Sequence, residues 1–317
     1  MPKHGDTRHG SLQFYPRKRS LKLLPRAKWD SLHRKTTSLL GFMGYKVGMM
    51  SAYVRDNSPH SLTKGQRITI PVTIIECPTL KIFSIRFYKD RKVICEVLNT
   101  NFDKELKKRV KLPKEVKKKI EDIKEDDYND IRLICYTQVK KTGIKKNPDI
   151  HEIGVSGILS EKLEFVKNNL NKEISVKDIF NDELIDIRGV TKGKGFQGIV
   201  KRFGITLKSH KSEKGRRNLG SGGPWHPARV DFTQPRPGQM GHFTRVVYNN
   251  KIIAVNSINE NNINPKSGFK KYGVVKTDYI IVCGSIQGPS KRQLLLTMAS
   301  RPSKNTIKKT FEFIELR

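Results

Sequence analysis

The 317-residue sequence is short of acids, of paired cysteines and of long apolar runs. Its 30 Asp and Glu face 63 Lys and Arg, leaving a formal charge of +33. A folded body with that excess repels itself unless a polyanion surrounds it, and phosphate is the obvious counter-charge. A membrane surface could also supply anions, but no apolar stretch approaches the roughly 18 to 20 residues of a spanning helix. The longest, such as Tyr279–Cys283, are strand-sized. The first twenty residues hold cations without an apolar segment, so no signal peptide is expected. The cysteines, Cys77, Cys95, Cys135 and Cys283, stand singly without a C-x-x-C pair. That spacing argues against structural zinc, and their apolar contexts predict reduced thiols buried in the core of a cytosolic protein.

What is present suffices for a core: 36% of the residues are hydrophobic, in a chain long enough for one large domain or two ordinary ones. Residues 1–37 carry ten Lys or Arg against two acids and are broken by Gly and Pro, which marks a basic extension. From Leu39 to Cys95 the β-branched and aromatic runs "LLGFMGYKVGMM", "RITIPVTIIEC" and "LKIFSIRFY" read as strands. In "LPKEVKKKIEDIKEDD", Val116, Ile120 and Ile123 recur at helical spacing and predict an amphipathic helix. Residues 103–130 hold ten basic and nine acidic residues, a solvated face expected to turn away from the polyanion. "SGILSEKLEFVKNNL" predicts a second helix, with Leu159, Leu163, Phe165, Val166 and Leu170 as its apolar positions. Strands are expected again at "ELIDIRGV", "TRVVYN", "KIIAVNSI" and "DYIIVCGSI".

Between those strands, Thr191–Arg245 carries 12 Lys or Arg against only Glu213 and Asp231. So long a loop, rich in Gly and Pro, is either functional or disordered. It opens on "GKGFQG", the G-x-G-x-x-G spacing of a phosphate loop. A dinucleotide site would need a strand, a tight turn and a helix, with an acid about 20 residues on. The residues after Gly198 show no convincing helical stripe, and Glu213 sits among cations. No H-R-D, D-F-G or A-P-E element follows, which excludes a kinase. The better reading brings the glycine backbone against a phosphate ribbon flanked by Lys192, Lys194, Lys201 and Arg202. Phe196 and Phe203 are expected to anchor the loop in a core rather than stack on bases. Trp225, in "SGGPWHPARV", is placed by its neighbours either in the protein or against bases. His210, His226 and His242 lack a carboxylate to orient them for catalysis and suit RNA hydrogen bonding or stacking. "QPRPGQMGHFTR", with Arg236, Gln239 and Arg245, reads as the return leg of a hairpin-like finger that begins at Gly204.

"RHGSLQFYPRKRS", "GFMGYKVGMM", "PVTIIECP", "VTKGKGFQGIVKRFG", "GPWHPARV" and "RPGQMGHFTR" occur in that order. Together they resemble the universal large-subunit ribosomal protein L-three family in its archaeal and eukaryotic type, archaeal members above all. The resemblance implies a mainly β fold with an α/β insertion: a six-stranded, elongation-factor-like (translation-protein) β-barrel with long basic extensions that penetrate rRNA. The barrel would take residues 38–100 and 181–300, the insertion with its helices 101–180, the central finger 204–245 and a C-terminal tail 301–317. The resemblance also implies early action in subunit assembly and a finger whose tip, Gly223, Pro224, Trp225 and His226, lies near the peptidyl-transferase centre. Charge and resemblance together assign rRNA binding to Arg8, His9, Arg17, Lys18 and Arg19, and to Lys192, Lys194, Lys201 and Arg202. Along the finger they assign it to Lys208, His210, Lys211, Lys214, Arg216, Arg217, Trp225, His226, Arg229, Arg236, Gln239 and Arg245. The implied partners are large-subunit rRNA and neighbouring proteins, the universal L-fourteen and archaeal L-twenty-four-e types, in the cytoplasmic large subunit. No catalytic residue, metal, cofactor, membrane or small-molecule substrate is expected. The competing reading is a nucleotide-dependent or RNA-modifying enzyme using Gly193–Gly198.

Overall fold

The β-branched and aromatic runs form strands in the computed structural model, which describes residues 9–34, 36–115, 118–123, 128–181, 184–220, 222–223, 225–226 and 228–317. In chain order these are β1 (Gly41–Asp56), β2 (Arg67–Glu76), β3 (Leu80–Lys89), β4 (Lys92–Leu98), β5 (Asp130–Thr137) and β6 (Ile150–Gly154). After α1 (Leu159–Asn169) come β7 (Leu184–Val190), β8 (Phe196–Gln197), α2 (Ile199–Phe203) and β9 (Gly238–Gln239). The chain continues through β10 (Thr244–Asn256), β11 (Tyr279–Cys283), β12 (Gln293–Met298), α3 (Lys304–Ile307) and β13 (Phe311–Leu316). The described residues are mainly β. They divide into two compact units, residues 1–22 with 190–244 and residues 23–189 with 245–317.

The larger unit is built on two sheets. One follows the order β12-β7-β10-β11-β2-β1-β13, and β12 also pairs with β1. The first half of β1 pairs with β12 from Gly41↔Thr297 to Tyr45↔Gln293, and its second half pairs with β13 from Ala52↔Leu316 to Asp56↔Phe311. The other edge of β1 pairs with β2 from Tyr45↔Glu76 to Arg55↔Arg67. The second sheet has the order β4-β3-β5-β6.

Strand periodicity sorts side chains between cores. Neighbouring residues of β11 divide, Ile280 and Val282 going to one apolar cluster and Tyr279 and Ile281 to another. β2 divides in the same way, with Ile75 on the first side and Val72 and Ile74 on the second. The first cluster also receives Ile82, Ile85 and Phe87 from β3 and Ile131 and Leu133 from β5, so one core serves both sheets. Val166 seals it from α1, with Leu159, Leu163, Phe165 and Leu170 partly buried against it, as the apolar positions of that helix predict. Leu24, Trp29 and Leu32 enter the same core, so the later part of the basic extension is anchored apolar chain.

Several expectations need correction. "LPKEVKKKIEDIKEDD" forms no α-helix among its described residues, only a 3-10 turn at Ile120–Asp122. Ile120 and Ile123 pack on the core from there, while Val116 lies outside the described residues. Two anchors flanked by a lysine run bury too little apolar surface to hold a helix, because isolated helices of this length are marginal. "TRVVYN" and "KIIAVNSI" are one strand, β10. At their junction Asn249 takes a left-handed φ of 55° and donates its N–H to Asp186 Oδ1 at 2.9 Å. Asn250 Nδ2 donates to Val247 O at 2.9 Å, which keeps the strand continuous. The thiols differ too: Cys77 and Cys135 are buried, whereas Cys95 and Cys283 are partly exposed. Burial pushes the Cys135 thiol up to about 12, so it stays protonated and inert.

Asp103 fastens the turn after β4 to the second sheet. It accepts hydrogen bonds from Tyr136 Oη at 2.7 Å and Lys81 Nζ at 3.2 Å, and from the Gln138 amide. Burial raises its carboxyl pKa, but these three donors outweigh that and leave it below the ordinary carboxylate value. A carboxyl depressed in the folded state stabilises above its unfolded pKa of about 3.9 and loses that contribution as pH falls through the lower folded value. Asp103→Asn therefore lowers thermal stability at pH 7 by about 1 to 2 kcal/mol. Melting curves at descending pH should show the gap to the parent closing below about pH 4; a gap that stays constant refutes the assignment.

Candidate nucleic-acid interface

The smaller unit carries 17 Lys and Arg against three acids, where the other unit has 46 against 27. Cations are similarly dense in both; what sets the smaller unit apart is the lack of acids to neutralise them. A backbone hydrogen bond ties its two chain segments, and three more join the two legs of the second segment. Ser20 N–H donates to His242 O at 2.8 Å and Thr191 N–H to Phe243 O at 2.9 Å. Lys194 N–H donates to Met240 O and Met240 N–H to Gly195 O, both at 2.9 Å. The ladder continues as β8 pairs with β9, Phe196↔Gln239 and Gln197↔Gly238. The glycine motif and "RPGQMG" are thus two legs of one ribbon. Gly241 is indispensable to it: its φ is +73°, and a Cβ there would stand 2.1 Å from Lys192 O. By contrast a Cβ at Gly195 or Gly198 would meet nothing within 4 Å, so these glycines do not pack a helix on a strand as a dinucleotide site requires. α2 does follow, a single turn and a half that the sequence pattern did not suggest, and Gly204 ends it in the left-handed conformation.

A small core holds the base of the loop, with Ile199, Phe203 and Ile205 buried and Val200 and Leu219 against them. Two guanidinium groups lie over the Phe203 ring, Arg17 at 4.5 Å and Arg202 at 5.1 Å from its centroid. Arg202 also donates through Nε to Gln239 O at 3.0 Å and through Nη1 to Arg236 O at 2.7 Å, fixing the return leg. Burial lowers the Arg202 pKa, and the neighbouring charge of Arg17 lowers it further. Arg17 itself lies 5.3 Å from the Tyr15 ring centroid and donates to Ser11 O at 3.3 Å.

The structure places most of the expected RNA-contacting side chains on the surface of this unit. Lys18, Arg19, Lys192, Lys194, Lys201, His210, Lys211, Lys214, Arg216, Arg217, His226, Arg229 and Arg236 are exposed. His9, Arg17, Arg202, Lys208 and Gln239 are half-buried, and Arg8 and Pro224 lie outside the described residues. Lys208 and Arg216 close a subloop, the N–H of Lys208 donating to Arg216 O at 3.1 Å and Arg216 Nε to Lys208 O at 3.2 Å. Arg245 belongs to the larger unit, where its carbonyl accepts from Gln287 Nε2 at 3.2 Å. Of the two aromatics expected as anchors, Phe203 is one; Phe196 is 76% exposed on β8, because a two-stranded ribbon offers no second layer to cover it. Trp225, left open between burial and exposure, is 89% exposed beside the exposed Gly223. Phe232 is 79% exposed and meets Tyr15 edge to face at 5.9 Å. Tyr15, Phe232 and Gly241 escaped the sequence reading. Only the position of Tyr15 inside a basic motif hinted at a role.

A family model described as Ribosomal protein L3 matches residues 1–317. The large ribosomal subunit protein uL3 of Methanocaldococcus jannaschii is 41% identical over 315 residues, covering 95% of this chain and 93% of that protein. Proteins of the same name from Methanobrevibacter smithii and Archaeoglobus fulgidus are 42% and 40% identical, over 96% and 95% of this chain and 94% of each relative.

Gly241→Ala should open the ribbon without unfolding the larger unit. The clash and the positive φ together cost about 2 kcal/mol or more. Limited trypsin digestion at Lys192 and Lys194 should then run at least about tenfold faster. Unchanged cleavage would show that the legs are not held together at Gly241.

Proposed function

Because the chain belongs to the ribosomal protein L3 family, we propose that it is a structural constituent of the large ribosomal subunit, bound to the rRNA of that subunit. The observation that carries the reading is the acid-poor smaller unit, where Phe196, Trp225 and Phe232 stand exposed among cations. Phosphate contacts supply affinity and position, and exposed rings supply stacking surfaces for unpaired bases. Arg202, which donates to the Gln239 and Arg236 carbonyls and lies over Phe203, also shapes the loop.

The finer expectations belong to the same proposal. The pairings β1–β2, β2–β11, β10–β11, β7–β10, β7–β12 and β12–β1 return to their starting strand, which supports a six-stranded barrel of the elongation-factor type. Residues 204–245 are the finger, with Trp225 at its tip directed to the peptidyl-transferase centre. Binding early in assembly, in the cytoplasm, beside L-fourteen and L-twenty-four-e type neighbours, completes the reading. The family is one of ribosomal proteins, not enzymes. The Gly193–Gly198 loop has cations rather than a carboxylate beside it, so the enzymatic alternative has no support.

Binding to large-subunit rRNA should weaken steeply with salt, each neutralised phosphate adding about −0.7 to −0.9 to the log–log slope. Titrations between low and moderate salt check this, and a flat response would reject the proposal. Trp225→Ala should leave the melting temperature of the isolated protein unchanged, since the exposed indole packs on little. The effect should surface in tRNA binding or peptidyl transfer by reconstituted subunits. A melting temperature lower by several degrees would instead make Trp225 a packing residue.

A further inference from the structure

A cleft of about 560 Å³ opens in the smaller unit, and the sequence motifs do not account for it. Tyr15, Arg17, Phe203, Val230, Phe232 and Arg236 line it, together with Arg202 and Asp231. Its volume lies within the range of roughly 300 to 1,000 Å³ typical of sites for small organic groups. One side is apolar and aromatic. Phe232 is largely exposed and meets the Tyr15 ring at an interplanar angle of 80°, while Val230 in the same lining is 44% exposed. The other side is cationic. Arg17 and Arg202 share the Phe203 ring, and Arg17 Nε is buried without a hydrogen-bond partner. The acid in the cleft, Asp231, turns its Oδ1 to the Thr233 N–H at 3.0 Å, closing its own turn. Two guanidinium groups on one ring repel each other, and an anion drawn in beside them removes that repulsion.

We infer that this cleft holds a single unstacked nucleotide of the RNA, its base on Phe232 and its phosphate between Arg17 and Arg236. The inference rests on the rRNA-binding reading and narrows it to a place and a ligand. A flat, half-open ring next to a paired cationic wall matches the two ends of a nucleotide: a π-face about 1 to 3 kcal/mol in favour of stacking, and a charged group for forked donors. Neither a free phosphate nor a regular duplex uses both walls. Phosphate alone has nothing to place on Phe232, and a stacked base pair does not present an isolated base.

The test uses the full chain and three RNA hairpins of one sequence: one with a single unpaired adenosine, one with an abasic residue at that place, and one fully paired. The parent protein should bind the unpaired-adenosine hairpin about tenfold more tightly than the paired one, with the abasic hairpin close to the paired. Phe232→Ala, a change at an exposed ring that leaves the fold intact by circular dichroism, should abolish that preference while binding of the paired hairpin persists. Arg236→Gln should reduce affinity for the unpaired-adenosine hairpin and lower its salt slope by about one contact. Equal affinity of the parent for all three hairpins, or a preference that survives Phe232→Ala, overturns the nucleotide cleft and leaves rRNA binding standing. No binding to any hairpin or to large-subunit rRNA overturns both.

Discussion

Arg17 and Arg202 stack on the same phenyl ring, and much of the smaller unit follows from that contact. Both guanidinium groups lie near the Phe203 ring, α2 presents Phe203, and Arg202 reaches the carbonyls of Arg236 and Gln239 to hold the return leg. The N-terminal segment is brought to the same ring by Arg17. Cation–π contacts and carbonyl acceptors disperse positive charge without cancelling it. The unit therefore keeps an excess of cations that only an external polyanion can neutralise, which turns a local packing device into a reason to bind RNA.

The larger unit solves a different problem. Two sheets share one apolar core, and β1 serves two partners along one edge and β2 along the other. Its acids hold many of its cations in pairs: Arg132 meets Asp30, Asp130 and Glu152, and Arg86 meets Glu96 and Glu152. Acids are interleaved with its cations, 27 against 46. The smaller unit has three against 17, and the lack of acids distinguishes it more sharply than total charge does.

Strands were legible where side chains alternate between two cores, as in β2 and β11, or run apolar because both faces are covered, as in the first half of β1. α1 was legible because five apolar positions recur at helical spacing. Legibility failed where few side chains carry the pattern. Two isoleucines hold no α-helix among the described residues of 112–127, and two segments expected as separate strands join in β10, where the Asn249 N–H donates to Asp186 Oδ1. In the candidate site the cations were plain from composition, but their division between exposed side chains and ones engaged within the loop was not. Arg202 and Lys201 are neighbours in sequence, yet one is engaged by carbonyls and the other is exposed.

The sequence by itself determined the charge, the β-rich class, the basic loop between two strands and, through six ordered motifs, the family. These depend on residue type and spacing along the chain. Only the tertiary structure decided that Phe203 is buried while Phe196 is not, that Gly241 must be glycine, and that Tyr15, Arg17, Phe232 and Arg236 share a cleft. Those outcomes depend on which surface a distant segment covers. Tyr15 and Phe232 stand more than two hundred residues apart, and no local pattern records that their rings meet.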